Sequence, residues 1–178
     1  MAKPVRYAIF KTKLGYFGIA ANGKGLVRTC LPCPIRKTVE NHLLAGLQKP
    51  LFDKNLLKTL QSRIIAYFEG RTAKIDTPLA LDGLSPFTQK VLAACRKIPS
   101  GKTISYSQLA SMIGHPRAGR AVGNALAKNP IPLIIPCHRV VRRDGSIGNF
   151  SAPGGTSLKK RMIALEDKRS AFCVPRTA

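Results

Sequence analysis

The chain has 178 residues and is 44% hydrophobic, which is enough for one sizeable core or two small cores sharing an interface. Lysine and arginine outnumber aspartate and glutamate 30 to 8, and the formal charge of +22 favours a nucleic-acid partner over a basic face that serves only solubility. No signal peptide and no membrane-spanning stretch is evident, so we expect an intracellular protein, cytoplasmic or nuclear, without a membrane partner.

The cysteines are irregularly spaced and odd in number. They are Cys30, Cys33, Cys95, Cys137 and Cys173. In a reducing compartment this pattern argues against a disulfide framework and leaves at least one thiol free to react. Cys30 and Cys33 have metal or redox spacing, but there is no second such pair and His42 is the only nearby histidine. We therefore expect no metal site, and the role of this pair stays open.

The first half of the chain predicts a small sheet followed by helices. Short strands are expected over residues 7–12, 16–21 and 25–30, which is typical of a β-meander ending at the prolines that follow. Helical spacing follows over 37–47 and 53–68, with Asp53 as the expected N-cap of the second helix. Residues 74–83 form a loose connector, so we place two subdomains at 1–83 and 84–178.

The second half predicts three short helices. A serine followed by proline opens a helix over 85–96, and Ser105 and Gln108 have capping-box spacing at the start of the next. Glycine and proline at 114–116 end that helix, and a third is expected over 117–128. The last two resemble a helix-turn-helix, which is weak evidence alone because short helix pairs are common.

The third helix carries unusually little side-chain bulk. Its small residues are Ala118, Gly119, Ala121, Gly123, Ala125 and Ala127. Two glycines lower helix propensity, so something should approach the backbone closely. Two interpretations remain open at this point: tight packing against a neighbouring helix, or a slim helix in a DNA groove with Arg120 and Asn124 as its polar reach.

The segment most indicative of chemistry contains three prolines followed by a cysteine. It reads Asn129-Pro-Ile-Pro-Leu-Ile-Ile-Pro-Cys-His-Arg-Val-Val141. Prolines fix φ, so they place Cys137 on a stiff support. His138 could be a core histidine and Arg139 a surface charge, but together they give the thiol positive, proton-accepting surroundings. We therefore predict that Cys137 is reactive and that its thiolate is favoured.

Pro-Cys-His-Arg-Val after Asn-Pro-Ile-Pro strongly resembles the active-site motif of the O6-alkylguanine-DNA alkyltransferases, also called methylated-DNA–protein-cysteine methyltransferases. The similarity covers residues 85–166 and includes 104–110, 120–123, 145–151 and 165–166. It implies an α/β fold. An N-terminal ribonuclease-H-like αβ subdomain with a mostly structural role would precede a mainly α, winged helix-turn-helix-like catalytic subdomain.

The resemblance implies direct-reversal DNA repair by a monomer without a cofactor. An alkyl group would move from O6 of guanine in double-stranded DNA to Cys137, through a relay of Glu166, His138 and a water. Because the O6-alkyl carbon is inaccessible in a duplex, the nucleotide has to rotate out of the helix. Tyr106 would assist this rotation and protonate guanine N3, and Arg120 would fill the vacated stack.

The same resemblance implies further contacts. The third helix would enter the minor groove, where small residues permit close approach. The residues of this helix that are implied to contact DNA are Ala118, Gly119, Gly123 and Asn124. The Cys137 and Val140 carbonyls would bind the exocyclic amine and the Ser151 amide would bind O6. Asn129, Arg139 and Phe150 complete the implied pocket, with Asn129 bracing the turn before the cysteine.

The sequence departs from the family pattern around the alkyl group. Phe150 stands where many relatives have tyrosine, and the loop from Ser151 to Gly155 is longer than the shortest family version. The preferred alkyl groups, and activity on O4-alkylthymine, are therefore left open. Cys173 lies in a tail that matches nothing and is expected to be an incidental thiol.

A thioether is stable and no second thiol in the sequence looks positioned to resolve it, so each molecule should react once. The main alternative is a protein that recognises alkylated DNA without transfer, although such proteins lack the cysteine. A thiol hydrolase and a helix-turn-helix regulator are weaker alternatives, because the first usually takes its histidine from elsewhere in the fold and the second needs neither the cysteine motif nor Glu166.

Overall fold

A four-stranded sheet forms the N-terminal part of the chain in the computed structural model, which describes residues 4–172 and the side chains of 4–167. β1 (Arg6–Thr12), β2 (Gly15–Asn22) and β3 (Gly25–Cys33) form the predicted antiparallel meander. A short strand that was not predicted, β4 (Leu51–Phe52), pairs in parallel with β1. The strand order is β3-β2-β1-β4, so β3 is an edge strand.

β3 continues three residues beyond its predicted end. Pro32 lacks a backbone N–H and was expected to terminate the meander, but the strand runs through it to Cys33. Proline is tolerated on an edge strand because one side of the strand needs no partner in the sheet. The free edge of β3 instead faces the C-terminal half of the chain, where the Thr29 amide donates to the Pro130 carbonyl at 3.0 Å.

Two helices cover the sheet. α1 (Arg36–Leu44) packs on one face, where Val39 and Leu43 lie over Gly18 so closely that an added Cβ would meet Leu43 at 2.9 Å. α2 (Lys58–Phe68) packs on the other face, and its buried residues join the main core. The alternation of strand residues between these two faces fixes the register of the sheet.

The predicted start of α2 is wrong. The helix begins at Lys58, and Asp53 is not its N-cap. The Asp53 carboxylate instead accepts the Asn55 amide at 3.0 Å and pairs with Arg6 at 3.3 Å. Leu57, directly before the helix, has a left-handed φ of 49°. Residues 53–57 therefore form a turn, because the local hydrogen bonds of the aspartate compete with helix initiation.

The C-terminal part is mainly helical. It contains α3 (Pro86–Arg96), α4 (Tyr106–Met112), α5 (Gly119–Ala127) and α6 (Gly155–Phe172), with a two-stranded parallel pair of β5 (Ile104–Ser105) and β6 (Val140–Val141) that was not predicted. The predicted caps are present: Ser85 accepts the Thr88 amide, and Ser105 and Gln108 form a capping box. α5 packs against α3 and α4.

One hydrophobic cluster runs through both parts of the chain. The connector between them adds a backbone link, since the Leu26 amide donates to the Pro78 carbonyl at 2.9 Å and the Ala80 amide donates to the Leu26 carbonyl at 2.7 Å. The chain thus has an α/β fold, with a sheet-rich N-terminal part and a helical C-terminal part. Among the described helices, none is long and apolar enough to cross a membrane.

Candidate active site

Cys137 stands at the end of a segment that its own hydrogen bonds make rigid. The Asn129 side chain accepts the Ile131 amide at 3.0 Å and donates to the Ile135 carbonyl at 2.9 Å. The Cys137 amide also donates to the Ile135 carbonyl, at 2.8 Å. Leu133 has a left-handed φ of 79°, so this loop is tightly folded. Cys137 then opens a single 3₁₀ turn, Cys137–Arg139.

The Glu166 carboxylate of α6 gathers several elements around the site, and only 2% of the residue is exposed. Glu166 lies 2.9 Å from His138 Nε2, and Arg139 donates to both of its oxygens at 2.8 and 2.9 Å. Tyr67 of α2 donates at 2.6 Å and the Gly101 amide at 3.2 Å. Although burial raises the pKa of Glu166, the hydrogen bonds from His138 and Arg139 outweigh it, and the pKa lies well below its ordinary value.

His138 is fully buried beside this carboxylate. Burial lowers the pKa of the imidazole, although the nearby Glu166 acts in the opposite direction. Because Glu166 is ionised, the assigned tautomer has the proton on Nε2, where it is donated to the carboxylate. His138 Nδ1 is buried and has no hydrogen-bond partner in the described part of the chain. The imidazole is therefore neutral and has a free lone pair on Nδ1.

Cys137 is buried, with 7% of the residue exposed. Burial raises the pKa of its thiol, and the Asn129 side chain and Lys159 counter this only partly. The prediction that the surroundings favour the thiolate is therefore wrong for the free protein. His138 is neutral and the Arg139 guanidinium is engaged by Glu166, so neither supplies the positive charge that the motif suggested. The thiol needs a base to lose its proton.

Lys159 is a buried cation that sequence reasoning missed, with 1% of the residue exposed. Its ammonium donates to the Val140 carbonyl at 2.6 Å and lies 5.8 Å from the Tyr106 ring centroid and 5.6 Å from that of Phe150. Burial lowers the pKa of Lys159, while the neighbouring Cys137 favours its charged form. Lys159 and Glu166 are seven residues apart on one helix, and this common face was the signal that could have found it.

Tyr106, the first residue of α4, is half-buried beside the thiol. Its hydroxyl fits against Gly148, where an added Cβ would lie only 2.9 Å away. Burial, and next the nearby Cys137, raise the pKa of Tyr106, so the phenol keeps its proton at neutral pH. A protonated phenol in this position can act as a hydrogen-bond or proton donor.

The glycines of α5 face its neighbour in the fold. A Cβ on Gly119 would meet Ser107 at 3.9 Å, and one on Gly123 would meet Tyr106 at 3.8 Å. A methyl group at either position would make only ordinary van der Waals contacts, and both glycines are partly exposed, so their contact with DNA stays a prediction. Ala118 is half-buried at the N-cap position. The exposed side of the helix carries Arg120, Ala121, Asn124, Ala127 and Lys128.

A cavity of about 180 Å³ opens beside Cys137. From the C-terminal part it is lined by Leu126, Asn129, Pro130, Pro132, Cys137 and residues 150–153. The Ser151 hydroxyl donates to the Ala127 carbonyl at 3.0 Å, which fixes the loop to the end of α5. The N-terminal part contributes Arg28, Thr29, Cys30, Leu31 and His42. Sequence reasoning missed this contribution because it gave the first half a mostly structural role.

Arg139 was predicted to belong to this pocket, and that assignment is wrong. Its guanidinium is held by Glu166 and by the Ile98 carbonyl, and Arg139 does not line the cavity beside Cys137. It lines a separate cavity of about 500 Å³, together with Tyr67 and Ile98. Arg139 therefore supports the carboxylate of the relay.

Models of one protein family match both parts of the chain. The 6-O-methylguanine DNA methyltransferase DNA binding domain matches residues 86–168, and the ribonuclease-like domain of the same family matches residues 5–81. This chain belongs to the 6-O-methylguanine DNA methyltransferase family. The match includes the cysteine, the histidine and the glutamate described above.

Comparison with individual relatives supports the same family. A methylated-DNA–protein-cysteine methyltransferase of Cricetulus griseus is 48% identical over 175 residues, covering 91% of this chain and 82% of the relative. One of Mus musculus is 51% identical over 81 residues, covering 45% of this chain; the matched part spans only 38% of that relative. The crystal structure of Mycobacterium tuberculosis OGT in complex with DNA has a TM-score of 0.79 at 30% identity, covering 92% of this chain and 94% of that one.

Two other thiols lie near Cys137, since Cys30 lines the same cavity and Cys95 is close enough to interact with it electrostatically. That neither is positioned to resolve a thioether stays a prediction. Burial raises the pKa of Cys30 to about 12 and also raises that of Cys95, so both stay protonated and poorly nucleophilic. Within residues 4–167, no group of three or more His, Cys, Asp or Glu could hold a metal. Cys173 lies outside the described residues.

Replacing Glu166 by Gln should destabilise the fold by about 3–5 kcal/mol near pH 7, because it leaves the Arg139 guanidinium partly buried without its carboxylate. The folded-state pKa of Glu166 is lowered, so its contribution is fully present above about pH 5 and is lost as pH falls towards the folded pKa. Urea unfolding at pH 7 and at pH 3–4 measures both effects. The neighbouring exposed Asp167→Asn is the control, and a pH-independent difference between wild type and Glu166→Gln would contradict the assignment.

Replacing Lys159 by Met should slow alkylation of Cys137 by iodoacetamide about tenfold at pH 8, because the ammonium favours the thiolate. The fold should survive, since an apolar side chain of similar length replaces a buried charge. Peptide mass spectrometry of the labelled cysteine gives the rate, and Lys160→Met, an exposed neighbour, is the matched control. Equal rates in the two variants would show that Lys159 does not act on the thiol.

Proposed function

We propose that this chain repairs DNA by transferring methyl and other alkyl groups from O6 of guanine to Cys137 Sγ, once per molecule and irreversibly. The observation that carries the proposal is the buried pair of His138 and Glu166 next to Cys137, with His138 Nδ1 free to accept a proton. Membership of the 6-O-methylguanine DNA methyltransferase family over nearly the whole chain supports it. No cofactor takes part in the proposed chemistry.

Double-stranded DNA is the proposed partner of a monomeric protein. The net charge of +22 supplies sequence-independent attraction to phosphates, so affinity should fall steeply with salt. The exposed side of α5 presents Arg120 and Asn124 beside Ala121 and Ala127, which keep it slim enough for the minor groove. Ala118, at the start of α5, lets the groove approach the helix N-terminus.

In this proposal, two side chains promote extrusion of the alkylated nucleotide from the duplex. Arg120 is exposed on α5 and has no hydrogen-bond partner in the described part of the chain, so it is free to enter the base stack. Tyr106, the first residue of α4, assists the rotation of the nucleotide out of the duplex. Unstacking a base requires a few kcal/mol, which these contacts offset.

The chemistry is one in-line displacement. His138 Nδ1 accepts the thiol proton through a water, with Glu166 stabilising the imidazolium that forms, and Lys159 stabilises the thiolate. As the S–C bond forms, the C–O6 bond breaks and its electron pair leaves with guanine. Tyr106 donates a proton to guanine N3, and Lys159 beside its ring stabilises the phenolate. Cys137 ends as a thioether, which ordinary thiols do not cleave.

The guanine is recognised by backbone groups in this proposal. The carbonyls of Cys137 and Val140 accept the exocyclic amine, and the second lone pair of the Val140 carbonyl remains available beside Lys159. The Ser151 amide donates to O6, on a loop that its hydroxyl ties to α5. Asn129 keeps the cysteine segment folded, and Phe150 forms an apolar wall of the cavity.

Incubation with a duplex containing O6-methylguanine should add one methyl group to the intact protein, and peptide mapping should place it on Cys137. Cys137→Ser should bind the duplex but gain no mass, because a serine hydroxyl is too weak a nucleophile here. Cys33→Ser, a partly exposed thiol outside the cavity, is the matched control and should still transfer. Binding without any mass gain by the wild type would favour an alkylated-DNA recognition protein.

Arg120→Ala should slow transfer from duplex DNA at least about tenfold more than transfer from free O6-benzylguanine, because only the duplex substrate has to be extruded. Lys128→Ala removes one positive charge from the exposed side of the same helix and controls for non-specific electrostatics. Single-turnover rates on both substrates make the comparison. Equal losses for Arg120→Ala on the two substrates would contradict a role in extrusion.

A further inference from the structure

The N-terminal part of the chain forms one side of the cavity beside Cys137. We call this side the N-terminal wall; it consists of residues 28–31 at the free edge of β3 and His42 of α1. Nothing in the proposed chemistry uses it. A wall that faces the nucleophile can still determine which alkyl groups fit and bind there.

Two hydrogen bonds hold the N-terminal wall against the cysteine segment. The Thr29 amide donates to the Pro130 carbonyl at 3.0 Å, and the Thr29 hydroxyl donates to the Pro132 carbonyl at 2.7 Å. Thr29, Pro130 and Pro132 all line the cavity. The wall is thus fixed relative to the segment that carries Cys137, and a group mounted on it has a defined position.

Arg28 places a fixed positive charge on this wall. Its Nη1 donates to the carbonyls of Leu43 and Ala45 at the C-terminal end of α1, which anchors the side chain. Its Nε and Nη2 have no hydrogen bond within the described part of the chain, so donors remain available. His42 lines the cavity too, and none of its described lining residues is an aspartate or glutamate. Arg28 therefore gives the N-terminal wall a positive charge that no carboxylate of the cavity lining neutralises.

We propose that Arg28, with His42 beside it, makes this protein prefer O6-alkylguanines whose alkyl group ends in a carboxylate, O6-carboxymethylguanine being the smallest. The inference rests on the proposed alkyl transfer to Cys137 and names its substrate class. A guanidinium binds a carboxylate through charge-assisted hydrogen bonds. It also offsets the repulsion between that carboxylate and the Cys137 thiolate, a repulsion that would otherwise slow the attack.

The reaction is the same displacement with a charged group. Cys137 Sγ bonds to the methylene carbon while that carbon's bond to O6 breaks, and guanine leaves with the electron pair and takes up a proton. The product is S-carboxymethylcysteine, whose carboxylate stays paired with Arg28. The substrate charge is preserved throughout, so the contact stabilises substrate and transition state and improves capture at low lesion concentration.

The test compares duplexes that contain O6-carboxymethylguanine with duplexes that contain O6-carbamoylmethylguanine, a neutral group of the same size. Each rate constant is divided by the O6-methylguanine rate constant of the same protein, so any loss of folded protein cancels. The normalised preference for carboxymethyl over carbamoylmethyl should be about tenfold larger in the wild type than in Arg28→Gln. Arg28→Lys, which keeps the charge, should retain most of it.

Arg96→Gln is the matched control. Arg96 also binds a backbone carbonyl, that of Thr77, and is also half-buried, but it does not line the cavity beside Cys137. Its variant should keep the wild-type preference. Equal preferences in the wild type and Arg28→Gln would overturn the inference, whereas absence of transfer from O6-methylguanine by the wild type would overturn the proposed function itself.

A second measurement needs no variant. Because the preference is electrostatic, the ratio of the carboxymethyl to the carbamoylmethyl rate constant of the wild type should decrease as the salt concentration rises from about 50 to 500 mM. The ratio of the carbamoylmethyl to the methyl rate constant should not change. General salt effects on DNA binding cancel in both ratios. A carboxymethyl preference that is independent of salt would count against Arg28 even if Arg28→Gln fails to fold.

Discussion

The buried Glu166 carboxylate connects more of this molecule than any other described side chain of the site. It accepts hydrogen bonds from α2 through Tyr67, from the turn before β5 through Gly101, and from the 3₁₀ turn through His138 and Arg139. Burying a carboxylate is strongly unfavourable unless it is paired in this way. The elements that satisfy it are therefore held together, and the same contact orients the imidazole beside Cys137.

This arrangement sets the protonation states of the site. Glu166 is ionised and His138 is neutral, so the pair is ready to take a proton rather than to give one. Cys137 is protonated because it is buried. Lys159 is the cation that favours the thiolate, and within the described part of the chain its ammonium contacts the Val140 carbonyl and two aromatic rings rather than a carboxylate. Activation thus depends on proton removal rather than on a preformed thiolate.

The features that depend on residues close together in the sequence could be predicted. The capping box of Ser105 and Gln108 and the rigid support of Cys137 lie within a few residues and could be predicted from spacing. The contacts between residues far apart in the sequence could not be predicted. Tyr67 and Glu166 are 99 residues apart, and Lys159 looked like one of 30 basic residues until the fold buried it. The prediction for Asp53 was wrong for another reason, since an aspartate suits a helix N-cap and a turn equally well.

Both parts of the chain contribute residues to the site, so the N-terminal part is more than a structural support. An isolated C-terminal part would keep Cys137, His138 and Glu166, but it would lose the Tyr67 hydrogen bond to the carboxylate. It would also lose Thr29, so the cavity would open to solvent along the edge of β3. Water entering there would weaken every electrostatic interaction around the thiol. The free edge of β3, which a sheet protein would ordinarily have to protect, is thus covered by the segment that carries the nucleophile.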